Sequence, residues 1–275
     1  MTAAGPRWWG TLLLLPALVA VGWLLVRPLP LVLPGLRPDQ VDLLGTLVSF
    51  ALLVRVLPRR LLQVLGQEHP WRTLGVAGPG PAVLASFARG LAVALLLLLL
   101  VGGGLLLSGS ASLGKAATAG QTVNALALLL GVGFAEELIF RGWLLEELTQ
   151  LTDRRRALVL QALVFALVHP WMGAEGWGRG PLLAGLVLLG LVLALRRRCD
   201  GGLLWGAVGL HGGLVGGWFL LSQALLELKP GAVAWLSGPG RPPNPVGSVT
   251  GLVSLVTLAV VWGISGRRGR GLADR

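Results

Sequence analysis

The chain has 275 residues, 54% of them hydrophobic and 13% charged, with a mean hydropathy of +0.77. Those values exclude a disordered chain and are too apolar for an ordinary soluble domain, so a polytopic membrane protein is expected. The net charge of +11 is what basic cytoplasmic loops give such a protein, and nucleic-acid binding is set aside.

The single cysteine, Cys199, rules out an intrachain disulfide. No linker and no internal repeat divides the chain, which reads as one integral membrane domain over 1–275. The expected fold is all-α, a polytopic transmembrane helix bundle of about eight spans.

Taken in order, residues 8–26 follow one basic residue, Arg7, and Arg27-Pro28-Leu29-Pro30 lacks the small residues of a cleavage site. They read as an uncleaved first span. The second span is 41–57. Residues 59–80, basic and partly amphipathic, read as an interfacial loop in which His69 is a solvated histidine. The third span, 84–107, carries Arg89 near its cytoplasmic end, where it can snorkel.

The fourth span, 123–145, holds Glu136-Glu137 and Arg141. The fifth, 157–170, ends in His169-Pro170, where proline discourages further helix. The sixth is 181–195. The seventh, 203–221, carries His211 among Gly209, Gly212, Gly213, Gly216 and Gly217, which permit close helix approach. A polar, proline-rich outer loop over 222–245 leads to the eighth span, 246–264, and a basic tail. With both ends cytoplasmic, inner segments hold fourteen Lys and Arg residues and outer segments six, as the positive-inside rule requires.

The acid pair is the feature that an anchor alone does not explain. A charged side chain at the centre of a spanning helix costs about 2.5–3.5 kcal/mol on insertion scales. At four residues apart, Glu137 and Arg141 share a helix face and can pair. Glu136 points about 100° away and needs partners elsewhere. His169 and His211 each lie thirteen residues beyond an arginine cluster, roughly 20 Å of helix. All three can therefore meet near the middle of a ~30 Å hydrocarbon core.

Two glutamates and two histidines without a nearby Ser or Cys nucleophile point to water activation, with a carboxylate as base and imidazoles stabilising an oxyanion. The same groups, Glu136, His169 and His211, could instead hold zinc, although the HExxH spacing is absent.

Glu136-Glu137-x-x-x-Arg141, Phe165-x-x-x-His169 and the later His211 resemble the three motifs of the CPBP family of intramembrane proteases. That family includes type II CAAX prenyl endopeptidases and bacterial relatives that process sorting tails or bacteriocin-like peptides. The resemblance covers residues 120–225.

It implies a glutamic-type endopeptidase with Glu136 as general base, and Glu137 and Arg141 holding the site in shape. His169 and His211 would orient water or stabilise the tetrahedral intermediate, with Phe165 packed beside His169. The implied partners are the lipid bilayer and the membrane-anchored C-terminal tail of a protein or peptide, either lipidated or carrying a sorting signal. The implied location is the bacterial inner membrane.

One position departs from the pattern: where the third motif often reads HxxxN or HxxxD, this chain has Val215. An oxyanion hole lacking one donor loses about 10²–10³ in rate unless another group replaces it. Val215 is therefore the feature favouring an alternative, a non-catalytic membrane chaperone or scaffold on a decayed protease fold. A proton-coupled transporter would call for internal repeats, which the sequence lacks.

Other residues have simpler readings. Glu146-Glu147 lie near Arg154–Arg156, where interfacial pairing is expected. Cys199 has no base beside it to make it a nucleophile, though its juxtamembrane position suits S-palmitoylation. Trp8, Trp9 and Trp71 read as interfacial anchors, and Trp218, two turns from His211, as a cavity residue.

Overall fold

The computed structural model describes residues 4–174, 176–229 and 234–271. The chain is helical at all eight expected positions: α1 (Trp8–Val26), α2 (Pro38–Leu65), α3 (Gly80–Leu107), α4 (Ala119–Leu151), α5 (Arg154–Val168), α6 (Arg179–Cys199), α7 (Trp205–Leu220) and α8 (Val249–Gly271). Six of these helices, α1 to α4, α6 and α7, are long and apolar enough to cross a membrane, and Val249–Ser265 forms a shorter apolar stretch. α5 has 15 residues and opens with three arginines. The protein is an all-α polytopic bundle. Two three-residue strands, β1 (Ala111–Leu113) and β2 (Leu226–Leu228), pair antiparallel at one end.

Local chemistry sets the helix limits. Asp153 caps α5 by accepting from the backbone N–H groups of Arg155 at 2.9 Å and Arg156 at 3.1 Å. α2 ends at Gly66, whose φ of +66° only glycine adopts at low cost. α2 runs well past the expected limit at residue 57, through Pro58, because Leu57 and Leu61 are fully buried against the core. α6 is likewise longer than the expected 181–195. Arg196 and Arg197 continue the helix because each finds a buried acceptor at its end, Asp200 for Arg196 and the Arg141 carbonyl for Arg197.

α7 is the centre of the bundle. Its glycines let it approach α3 and α4 closely: a Cβ on Gly209 would lie 2.3 Å from the Phe87 carbonyl oxygen, and one on Gly212 would lie 2.0 Å from that of Leu129. The close approach brings His211 against the acid pair. α4 itself is not uniform. Leu128–Val132 and Leu138–Leu144 are wound as π-helix on either side of Gly133–Glu137, a winding associated with functional sites.

The two ends of the bundle differ. One end is closed by ion pairs. Arg197 donates to the Arg141 carbonyl, to the Thr73 carbonyl at 2.6 Å and to Glu146 at 2.9 Å. Asp200 accepts from Arg196 and from Arg89 at 2.9 Å, so Arg89 is paired as well as near its helix end. The opposite end carries the β1–β2 pair and the loop before α8.

The expected pairing of Glu146-Glu147 with Arg154–Arg156 is corrected. Glu146 pairs with Arg197, while Glu147 is fully buried and accepts from Arg60 Nε at 2.5 Å and Nη2 at 2.8 Å. The Trp143 indole and the Thr11 hydroxyl, each at 2.6 Å, complete the shell of Glu147. Distance along the chain hid this cluster, since Thr11 and Arg60 come from the first two helices. Arg275, counted in the basic tail, lies outside the described residues.

Candidate active site

Glu136, Glu137 and Arg141 come from α4, Phe165 and His169 from the end of α5, and His211 from α7. The structure brings all six together. Arg141 Nη1 donates to Glu137 Oε1 at 2.7 Å, as their spacing on one face requires, and neither side chain has any exposure. His211 Nδ1 lies 2.8 Å from the same oxygen. His169 Nε2 is 3.1 Å from Glu136 Oε2, and His211 Nε2 is 3.8 Å from it. The two adjacent carboxylates are thus in different states of enclosure: Glu137 is sealed, whereas the Glu136 side chain retains 27% exposure.

Phe165 knits these groups into one unit. It is fully buried, with its ring 4.1 Å from the His169 ring and 5.7 Å from that of His211. The Arg141 guanidinium lies 4.2 Å from its centroid, a cation–π distance. That stacking matters because Arg141 Nε and Nη2 and Glu137 Oε2 have no hydrogen-bond partner among the described residues.

Hydrogen bonding also fixes where protons sit. The Phe165 carbonyl, 2.6 Å from His169 Nδ1, can only accept, so Nδ1 carries a hydrogen. His169 Nε2 then holds a lone pair when the ring is neutral, yet it faces a carboxylate oxygen. The contact requires a proton between them, so Glu136 and His169 form a pair that holds one. By the same reasoning His211 donates from Nδ1 to the Glu137 carboxylate, turning its Nε2 toward Glu136.

The pair opens on a cavity of about 440 Å³. Its wall includes Glu136, Phe165, His169, His211, Val215 and Trp218. Trp218 donates its indole N–H to the Pro243 carbonyl at 2.9 Å, tying the outer loop to the wall. Sequence reading missed the contribution of Pro242–Val246 and of Ser254 on α8. A proline-rich loop and a lone helical serine give no local signal of a cavity. Among the described residues no group of three His, Cys, Asp or Glu side chains could hold a metal ion. The steps below run through these side chains alone.

Comparison with known families adds to this geometry. Residues 118–216 match the type II CAAX prenyl endopeptidase Rce1-like family. This is the family that the motifs resemble, and the matched stretch contains Glu136, Glu137, Arg141, Phe165, His169 and His211. Residues 1–69 match a domain of unknown function, DUF8676. No curated protein and no solved structure matches the chain. The protein is an integral membrane protein with an Rce1-like segment at its core, and that family supports intramembrane protease activity in general terms.

Proposed function

We propose that the protein is an intramembrane endopeptidase of glutamic type, with Glu136 as base. It cuts a peptide bond in the membrane-anchored C-terminal tail of a protein substrate, either lipidated or bearing a sorting signal. The observation that carries the reading is the 3.1 Å contact between Glu136 Oε2 and His169 Nε2 at the wall of an apolar cavity. We place the chain as one membrane domain with both termini cytoplasmic, on the strength of its arginine distribution, and in the bacterial inner membrane, on the resemblance of its motifs.

In this mechanism the carboxylate takes a proton from water as the water oxygen attacks the amide carbon. The tetrahedral oxyanion is held by His169, which carries the pair's proton while Glu136 is ionised, and Glu137 braces His211 from behind. The C–N bond then breaks, and the proton that Glu136 took from water passes to the leaving nitrogen. Arg141 and Glu137 are positioning residues that keep the rings aligned, and Phe165 and Trp218 shape the pocket.

A second reading, a non-catalytic membrane chaperone or scaffold, is favoured by Val215, which lines the cavity with an apolar side chain. One experiment separates the two. C-termini of membrane proteins are compared by mass spectrometry in cells carrying the wild type, the Glu136→Gln variant or neither. The protease reading expects termini that change only with the wild type; termini identical in all three, with a tail co-purifying uncut, would support the scaffold.

A further inference from the structure

The side of the membrane from which the cavity is reached narrows the substrate class. The arginine clusters at Arg59-Arg60, Arg154–Arg156 and Arg196–Arg198 mark one end of the bundle, which is the cytoplasmic end by the positive-inside rule. From Glu136 the cavity extends the other way. α3 runs away from the basic end and contributes Val101 from its far half; α4 runs toward it and contributes Leu128, before Glu136. Trp218 and Gln223 come from beyond His211, and Pro243 from the loop at the arginine-poor end.

Toward the basic end the cavity does not continue: Leu138 and Leu204 are fully buried there, and a separate cavity lined by Arg72, Glu146, Arg197 and Asp200 shares no wall residue with it. The wall is also selective by charge. Among the described residues that line it, Glu136 is the only carboxylate, His169 and His211 are the only basic groups, and there is no Lys or Arg. An anionic terminus or headgroup would lose its hydration without gaining a fixed counter-ion, which is unfavourable.

We infer that the substrate is the apolar, uncharged tail of an exported protein, presented from the non-cytoplasmic face, rather than the lipidated terminus of a cytoplasmic one. This rests on the intramembrane-protease reading above. Such a tail enters past Gln223 and Pro242, lies along the apolar wall and places an internal amide at Glu136. Its charged flanks stay outside the cavity.

The test has two arms. In a Cys199→Ser background, Gln223→Cys or Pro242→Cys marks the cavity mouth and Arg72→Cys marks the basic end. A membrane-impermeant maleimide should label a mouth cysteine in intact spheroplasts, and Arg72→Cys only in inside-out vesicles. The reverse pattern, or no labelling of either mouth cysteine from outside, overturns the inference. In the second arm, shortened C-termini should appear on exported proteins in cells with the wild type and not with Glu136→Gln. Shortened termini confined to cytoplasmic lipidated proteins would overturn the substrate class and leave the protease reading intact. No shortened termini, despite the expected labelling, would overturn the protease reading and the substrate with it.

Discussion

Adjacent glutamates should respond in opposite ways to the same amide substitution. Glu137 has no exposure, and its Oε1 accepts from Arg141 Nη1 at 2.7 Å and from His211 Nδ1 at 2.8 Å. Glu137→Gln leaves the equally buried Arg141 as an uncompensated cation, with the Phe165 and Phe140 rings against it. Removing one member of a buried pair costs about 3–5 kcal/mol. Glu136 is partly exposed and faces the cavity, so Glu136→Gln should cost less than about 1 kcal/mol and abolish turnover. The Glu137→Gln/Arg141→Met double variant removes both charges and should recover much of the lost stability. Unfolding of the purified variants by SDS titration in mixed micelles, followed by near-ultraviolet circular dichroism, measures the difference. Equal destabilisation by the two single variants, or no recovery in the double variant, would refute the division into a sealed positioning acid and a reacting one.

The Glu147 cluster makes a similar prediction at a distance from the chemistry. Arg60→Met should destabilise by about 3–5 kcal/mol, and Arg60→Met/Glu147→Gln by less, read in the same titration. Trp218→Phe frees the Pro243 carbonyl and loosens the cavity wall. It should raise KM for a tail peptide several-fold while changing kcat little, as steady-state cleavage would show. Asp200 is affected most by burial, which raises its pKa, but hydrogen bonds from Arg196 and Arg89 outweigh burial and hold it below the usual carboxylate range. A depressed folded-state pKa adds stability that is complete above the unfolded value and lost as pH falls through the folded one. Thermal stability should therefore drop as pH falls below about 4, and Asp200→Asn should flatten that drop while lowering stability at neutral pH.

Much of the site was legible because its signals are local. Four-residue spacing sets Glu137 against Arg141, and counting residues from the arginine clusters puts both histidines at the depth of Glu136. Glycines around His211 announced the close packing of α7. The cluster at Glu147 was not legible, since two of its three donors lie 87 and 136 residues away and a glutamate near arginines has a simpler local reading. Helix limits moved for a related reason: Arg196 and Arg197 look like the end of a span until their buried acceptors, the Asp200 carboxylate and the Arg141 carbonyl, are known. The π-wound turns of α4 and the loop wall at Pro242–Val246 arise from tertiary packing that no periodicity reports.

Glu147 takes donors from α1 and α2, inside the stretch of unknown function, while sitting on the helix that bears Glu136. The two matched segments are therefore not free to be exchanged like cassettes. A hairpin borrowed from a relative would work only if it brought an arginine at the position of Arg60, and lineages that lose that arginine should lose the acid with it. On this account the leading hairpin and the helix that bears Glu136 form a single structural unit.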